Sequence, residues 1–84
     1  MTFEEQQAII EMGRNAEALK TNPALEACMN LTMESLFAQW LSTGPDDFNL
    51  RDSIWGTAQA LKAFKNSMDV FISEGAIERR NKES

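Results

Sequence analysis

The sequence predicts an all-α fold, arranged either as a three-helix up-down-up bundle or as a helical hairpin with an extra N-terminal helix. Apolar residues recur at steps of three and four along most of the 84 residues, which is the period of one helix face. The chain has few β-branched residues and no tyrosine, whereas strands favour both β-branched and aromatic residues. Breaks near residues 21–23 and 42–49 divide the pattern into three segments, and short connections favour antiparallel neighbours.

The first helix is expected over about residues 3–20. Thr2 and Glu5 fit a capping box, in which the hydroxyl and the carboxylate each satisfy an unpaired backbone N–H. The apolar stripe that follows consists of Ile9, Met12, Ala16 and Leu19. Gly13 lies beside this stripe, which indicates that another helix approaches closely there.

The second helix is expected to begin at Pro23, because Asn22 is a good N-cap and proline suits the first helical position. Its apolar face comprises Leu25, Met29, Thr32, Leu36 and Trp40, and it is widened by Cys28, Met33, Phe37 and Leu41. We therefore expect Trp40 in the core and Cys28 as a buried, inert thiol. Gly44 in a left-handed cap, followed by Pro45, is expected to end the helix.

The third helix is expected from about Asn49 to Glu74, with Asn49 as the cap, Phe48 as a hydrophobic staple and Gly75 as the stop. Its apolar stripe consists of Leu50, Ile54, Ala58, Leu61, Phe64, Met68 and Phe71. At about 1.5 Å per residue such a helix is roughly 39 Å long, which exceeds either partner. This predicts one domain over residues 1–77 and a polar C-terminal tail over 78–84. Leu36, Leu61 and Phe64 are expected at the centre of the core.

The formal net charge is −5, and it is concentrated in the first part of the chain. Residues 1–50 carry eight acidic and two basic side chains, whereas residues 51–84 carry five acidic and six basic ones. Since an acidic chain is repelled by phosphate backbones, direct nucleic-acid binding is disfavoured. The basic residues near the C-terminus serve either ordinary solubility or charge matching between subunits.

Residues that commonly carry catalysis are nearly absent. The chain has no histidine, a single cysteine and four scattered glycines, so it offers neither a general base of the usual kind nor a phosphate-binding loop. Asp46 and Asp47 are adjacent, but the calcium-loop pattern is missing. We therefore expect no enzymatic activity, no cofactor and no metal site. The N-terminus lacks the pattern of a signal peptide, and no apolar run reaches the roughly 20 residues of a membrane span, which predicts a cytoplasmic protein without membrane contact.

Four residues on the third helix are candidates for an interface with another protein: Trp55, Val70, Phe71 and Ile72. Trp55 lies one residue off the main stripe, either as a rim residue over the preceding loop or as an interface anchor, since tryptophan is enriched at binding hot spots. Val70 to Ile72 form an apolar run that one neighbour cannot cover. Either the helix is covered on two sides within the chain, or a second subunit covers one side.

Four short motifs resemble a type of small protein encoded by tailed bacteriophages, with a central helical pair and an Arg-acid-x-x-Trp element opening the second helix. They are Asn22-Pro23-Ala24-Leu25, Phe37-Ala38-Gln39-Trp40, Arg51-Asp52-Ser53-Ile54-Trp55 and Gln59-Ala60-Leu61. The resemblance implies a viral origin and a location in the host bacterial cytoplasm or the virion. The expected function is self-association or docking to a larger protein. The alternative is inhibition of a host defence or nucleic-acid enzyme through the acidic first half.

Overall fold

The computed structural model describes residues 1–83, and within that range the chain forms three α-helices and no strand. Helix α1 spans Phe3–Lys20, α2 spans Pro23–Leu41 and α3 spans Phe48–Glu83. The prediction of an all-α fold is therefore confirmed. At 36 residues, α3 is about 54 Å long and runs the whole 57 Å length of the molecule.

Helices α1 and α2 lie one after the other along α3, and both run antiparallel to it. Helix α1 packs on the C-terminal half of α3, and α2 packs on the N-terminal half. Three side-chain contacts fix these directions: they join Gln6 to Glu78, Lys20 to Asp69 and Arg51 to Thr43. The molecule is thus a long helical hairpin with one arm broken at residues 21–22.

This arrangement differs from the up-down-up bundle and is closer to the predicted hairpin. The connection between α1 and α2 bends the chain without reversing it. Asn22 has an extended backbone (φ −70°, ψ 118°), as expected before proline, and its side chain accepts hydrogen bonds from the backbone N–H groups of Ala24 and Leu25. Because α3 is long enough to contact both helices in succession, α2 need not fold back on α1.

The predicted N-caps of the first two helices are confirmed, whereas the start of α3 differs from the prediction. Thr2 accepts a hydrogen bond from the Glu5 backbone N–H, and Asn22 caps α2. Gly44 has no positive φ, so the left-handed cap is wrong, and α2 ends at Leu41. Helix α3 begins at Phe48 rather than after an Asn49 cap, since the Asp47 carbonyl already accepts the Arg51 N–H at 2.9 Å.

Gly75 does not end α3, and this part of the sequence prediction is wrong. Gly75 is buried inside the helix and faces Gly13 of α1. A methyl group added at Gly13 would lie 2.8 Å from the Phe71 carbonyl oxygen and 2.9 Å from the Gly75 Cα atom. The two glycines therefore let the helix backbones touch, as the sequence suggested for Gly13. The helix continues to Glu83. Of the expected polar tail at 78–84, Glu78 and Lys82 contact α1, and Ser84 lies outside the described residues.

The buried side chains are few, and several expected core residues are exposed. The hydrophobic residues that are buried are Ile10, Ala16, Met29, Leu36, Ile54 and Met68. Leu36 is thus confirmed in the core, Leu61 is half-buried, and Phe64 is 45% exposed. Trp40, expected inside, is 37% exposed, and Cys28 lies on the surface. Of the predicted α1 stripe, Ala16 is buried and Ile9 is half-buried, whereas Met12 and Leu19 are exposed and Ile10 takes an inward position instead.

The molecule is thin for its mass. Its solvent-accessible surface is 6290 Å², whereas a compact monomer of 9.5 kDa exposes about 5,000 Å². Its radius of gyration is 18.0 Å, against about 12 Å for a compact chain of this length. Two helices cannot enclose a core from all sides, so many large apolar side chains remain in contact with water.

Candidate docking surface

An open apolar groove, here called the tryptophan groove, lies between α2 and the N-terminal half of α3. It is lined by Met33, Leu36, Phe37, Trp40, Ile54, Trp55 and Ala58. Leu36 and Ile54 form its buried floor, while Phe37 and Trp55 are each 63% exposed at its walls. Burying such side chains is favourable by roughly 25 cal/mol per Å² of apolar surface, so the groove favours an apolar occupant.

The α2 side of the groove is formed by residues that share one face of the helix. Met33, Phe37 and Trp40 follow one another at steps of four and three, so they share a face of α2. The face is wider than the seam that α3 can cover, because only α3 packs against this part of α2. Met29 and Leu36 take the covered positions, and the three groove residues are left beside them.

Trp40 is held in place by Arg51 at the start of α3. The Arg51 guanidinium carbon lies 4.7 Å from the Trp40 ring centroid, and the Arg51 Nε donates a 2.7 Å hydrogen bond to the Thr43 hydroxyl. Thr43 in turn donates to the Trp40 carbonyl at 2.6 Å. A guanidinium stacked on indole is an attractive cation–π pair. One indole face is therefore occupied within the chain, and the end of α2 is tied to α3.

The groove continues along the α2–α3 seam and becomes polar. Beyond Met33 and Ala58 its lining includes Asn30, Gln59, Lys62 and Lys65. Farther along, the lining also includes Glu26, Lys20 and Asp69, and Lys20 pairs with Asp69. Both partners are about half exposed, so this ion pair contributes little to stability. One end of the seam is therefore apolar and the other carries charges of both signs.

The structure separates the four predicted interface residues into two places. Trp55 is exposed on the tryptophan groove, at the N-terminal half of α3. Val70 and Phe71 are partly exposed around a shallow depression farther along α3, which Ala63, Asn66 and Ser67 also line. Ile72 is half-buried. Nothing in the structure tests whether any of them contacts another protein, so the interface remains a prediction.

The exposure of Met33, Phe37 and Trp40 differs from the prediction, which placed the broad apolar face of α2 in the core. The sequence signal that identifies them is the width of the apolar face of α2. An apolar face wider than one seam needs two neighbouring helices to cover it. A two-residue connection does not ensure that α1 packs beside α2 as the second neighbour.

The side chains that line the groove are apolar and offer packing contacts. The described residues contain no group of three or more His, Cys, Asp or Glu side chains placed to hold a metal ion. No helix within residues 1–83 is both long and apolar enough to cross a membrane. Comparison of the chain with protein-family models, curated proteins and solved structures gives no match.

Proposed function

We propose that this protein acts through protein–protein contacts, by assembling with copies of itself or by docking on a larger protein. The observation that carries the proposal is the tryptophan groove, where Phe37, Trp40 and Trp55 stand around a shallow, uncharged hollow. Soluble monomers rarely expose contiguous apolar patches beyond a few hundred Å², and larger ones mark interaction sites. Aromatic residues are also the side chains most enriched in the centres of interfaces.

The shape of the chain supports the same proposal. Roughly 1,200 Å² of surface is exposed beyond what a compact chain of this mass exposes. A helix that its own chain leaves exposed on several sides gains stability when another chain packs against it, because most helical stability in proteins comes from tertiary packing. A partner chain is the natural source of such neighbours.

We also propose that the protein comes from a tailed bacteriophage and works in the infected host cell or in the virion. The support is the set of short motifs in residues 22–61. One of these motifs, the Arg51–Trp55 segment, lies near the start of α3 and supplies both the guanidinium on Trp40 and the exposed indole of the groove.

The test is the molar mass of the purified protein, measured by light scattering at micromolar concentration. We expect a mass larger than the 9.5 kDa monomer. Replacing an exposed apolar residue of the true contact by glutamate lowers the mass while circular dichroism stays helical, because a buried unpaired charge is costly. A monodisperse monomer that retains no protein from a bacterial lysate would contradict the proposal. A monomer that captures a nucleic-acid enzyme through its acidic first half, residues 1–50, would support the inhibitor alternative instead.

A further inference from the structure

We propose that the occupant of the tryptophan groove is a second copy of this chain, related by a two-fold axis, so that the α2–α3 halves of two copies form a four-helix bundle. This proposal rests on the proposed function and specifies its partner and its site. Three observations carry it: the exposed area, the distribution of charge along the seam and the open two-helix architecture.

The exposed area matches one interface of ordinary size. A stable dimer removes about 800 Å² of surface from each partner. The chain exposes roughly 1,200 Å² more than a compact monomer of its mass, so one such contact removes most of the excess. Phe37, Trp40, Trp55 and Met33 are between 37% and 63% exposed, so the groove supplies large apolar side chains for such a contact.

The distribution of charge favours a copy of the same chain. Each copy carries a net charge of −5, so a contact through most of the surface brings like charges together. The tryptophan groove avoids this cost, because none of its lining residues is ionisable and the guanidinium that stacks on Trp40, that of Arg51, is a cation. A two-fold axis at the groove turns the charged end of each seam, near Lys65 and Glu26, away from the contact. An axis farther along the seam would instead place Trp55 of one copy against those charges.

The packing of α2 on α3 is also incomplete, and a second copy would supply the missing helices. Over its N-terminal half, α3 packs against α2 alone, and two antiparallel helices leave the seam between them open on both sides. Two such pairs facing each other make a four-helix bundle, which is a common solution for helices with wide apolar faces. A two-fold contact is self-complementary, so the same groove serves both copies. The shallow depression at Val70 cannot serve equally, because Asn66 and Ser67 line it.

The experiment measures molar mass and tryptophan emission of the full chain. Both tryptophans line the groove, so emission reports this site and no other. We expect a mass of two copies and a red shift of emission when the protein is diluted, as the indoles return to water. Trp55→Glu and Phe37→Glu are each expected to give a helical monomer and to weaken association at least tenfold. Leu31→Glu, a similarly exposed apolar position of α2 outside the groove lining, is the matched control and is expected to leave the dimer intact. Val70→Glu tests the competing site at the depression on α3.

The outcomes separate this inference from the proposed function. If the parent associates but Val70→Glu dissociates it while both groove variants do not, the second-copy groove is wrong and assembly stands. A parent that is a monomer but binds a foreign protein through the groove overturns the second copy as occupant and leaves the broader function. A parent that is a monomer with no partner overturns both. If one groove variant unfolds, the other variant and the dilution experiment on the parent still decide.

Discussion

At the scale of single residues, Gly13 and Gly75 bring the backbones of α1 and α3 close together. Gly13 and Gly75 are both helical and buried, and neither has a positive φ, so backbone freedom is not their role. Both glycines are needed because they have no side chain between the two helix backbones. The contact lets α1 approach α3 at backbone distance, where many weak dispersion contacts add up. It also fixes which residues of α1 face inward, namely Ile10 and Ala16 on either side of Gly13.

Gly13→Ala is expected to destabilise the protein even though alanine is the better helix former. The added methyl group would lie 2.8 Å from the Phe71 carbonyl oxygen, and backbone atoms cannot move aside without separating the helices. Overpacking of this kind costs about 1–3 kcal/mol, which exceeds the helix-propensity gain of about 1 kcal/mol. Since 1 kcal/mol shifts the Tm of a domain this size by about 4–8 °C, thermal unfolding resolves the difference.

Gly56→Ala is the matched control for that variant. Gly56 is also inside a helix, but a methyl group there meets no atom within 4 Å. Only the propensity gain applies, so the Tm is expected to rise by a few degrees. Equal rises for both variants would mean that α1 does not approach α3 through Gly13.

At the scale of helices, capping residues predicted where helices begin more accurately than the apolar period predicted which residues are buried. Thr2, Asn22 and Pro23 placed two helix starts correctly, because capping depends on neighbouring backbone atoms alone. The prediction that Gly75 ends α3 is wrong, because a single sequence does not distinguish a glycine that ends a helix from one that lets a second helix pack closely. The apolar stripe of α3 was read as one continuous core face. In the structure, Ile54 and Met68 are buried, but Phe64 between them is 45% exposed.

Leu36→Ala and Phe64→Ala are expected to differ in cost, although the sequence pattern gave them the same place in the core. Leu36 is 8% exposed, and its truncation is expected to cost about 2–3 kcal/mol by leaving a cavity between α2 and α3. Phe64 is 45% exposed, so truncating it removes less buried surface and is expected to cost roughly 1 kcal/mol. Urea unfolding of the two variants beside the parent measures both. A Phe64 variant as unstable as the Leu36 variant would show that a contact absent from the single chain buries Phe64.

At the scale of the whole molecule, the order of the helices along α3 could not be read from the sequence. Connection length predicted that α1 and α2 would be antiparallel neighbours, but a helix as long as α3 lets them lie in succession instead. The predicted end at Gly75 also makes α3 too short, since the helix continues to Glu83. Once α3 reaches Glu83, Gln6 and Gln7 of α1 contact Glu78 and Lys82 near its end, and α2 is left alone over the other half. The wide apolar face of α2 then becomes surface rather than core.

These two halves are expected to respond differently to protein concentration in amide hydrogen exchange. Helix α1 packs closely on α3 through Gly13, whereas α2 packs more loosely and borders the tryptophan groove. Local opening is easiest where few buried apolar contacts hold a helix, so in dilute protein the amides of α2 should exchange faster than those of α1. Association through the groove stabilises the state in which α2 is folded, by mass action. Raising the concentration should therefore slow exchange in α2 and in residues 50–62, with a smaller change in α1. Slowing confined to residues 66–74 would move the contact to the depression around Val70 and Phe71, and protection that is independent of concentration would argue against any assembly in solution.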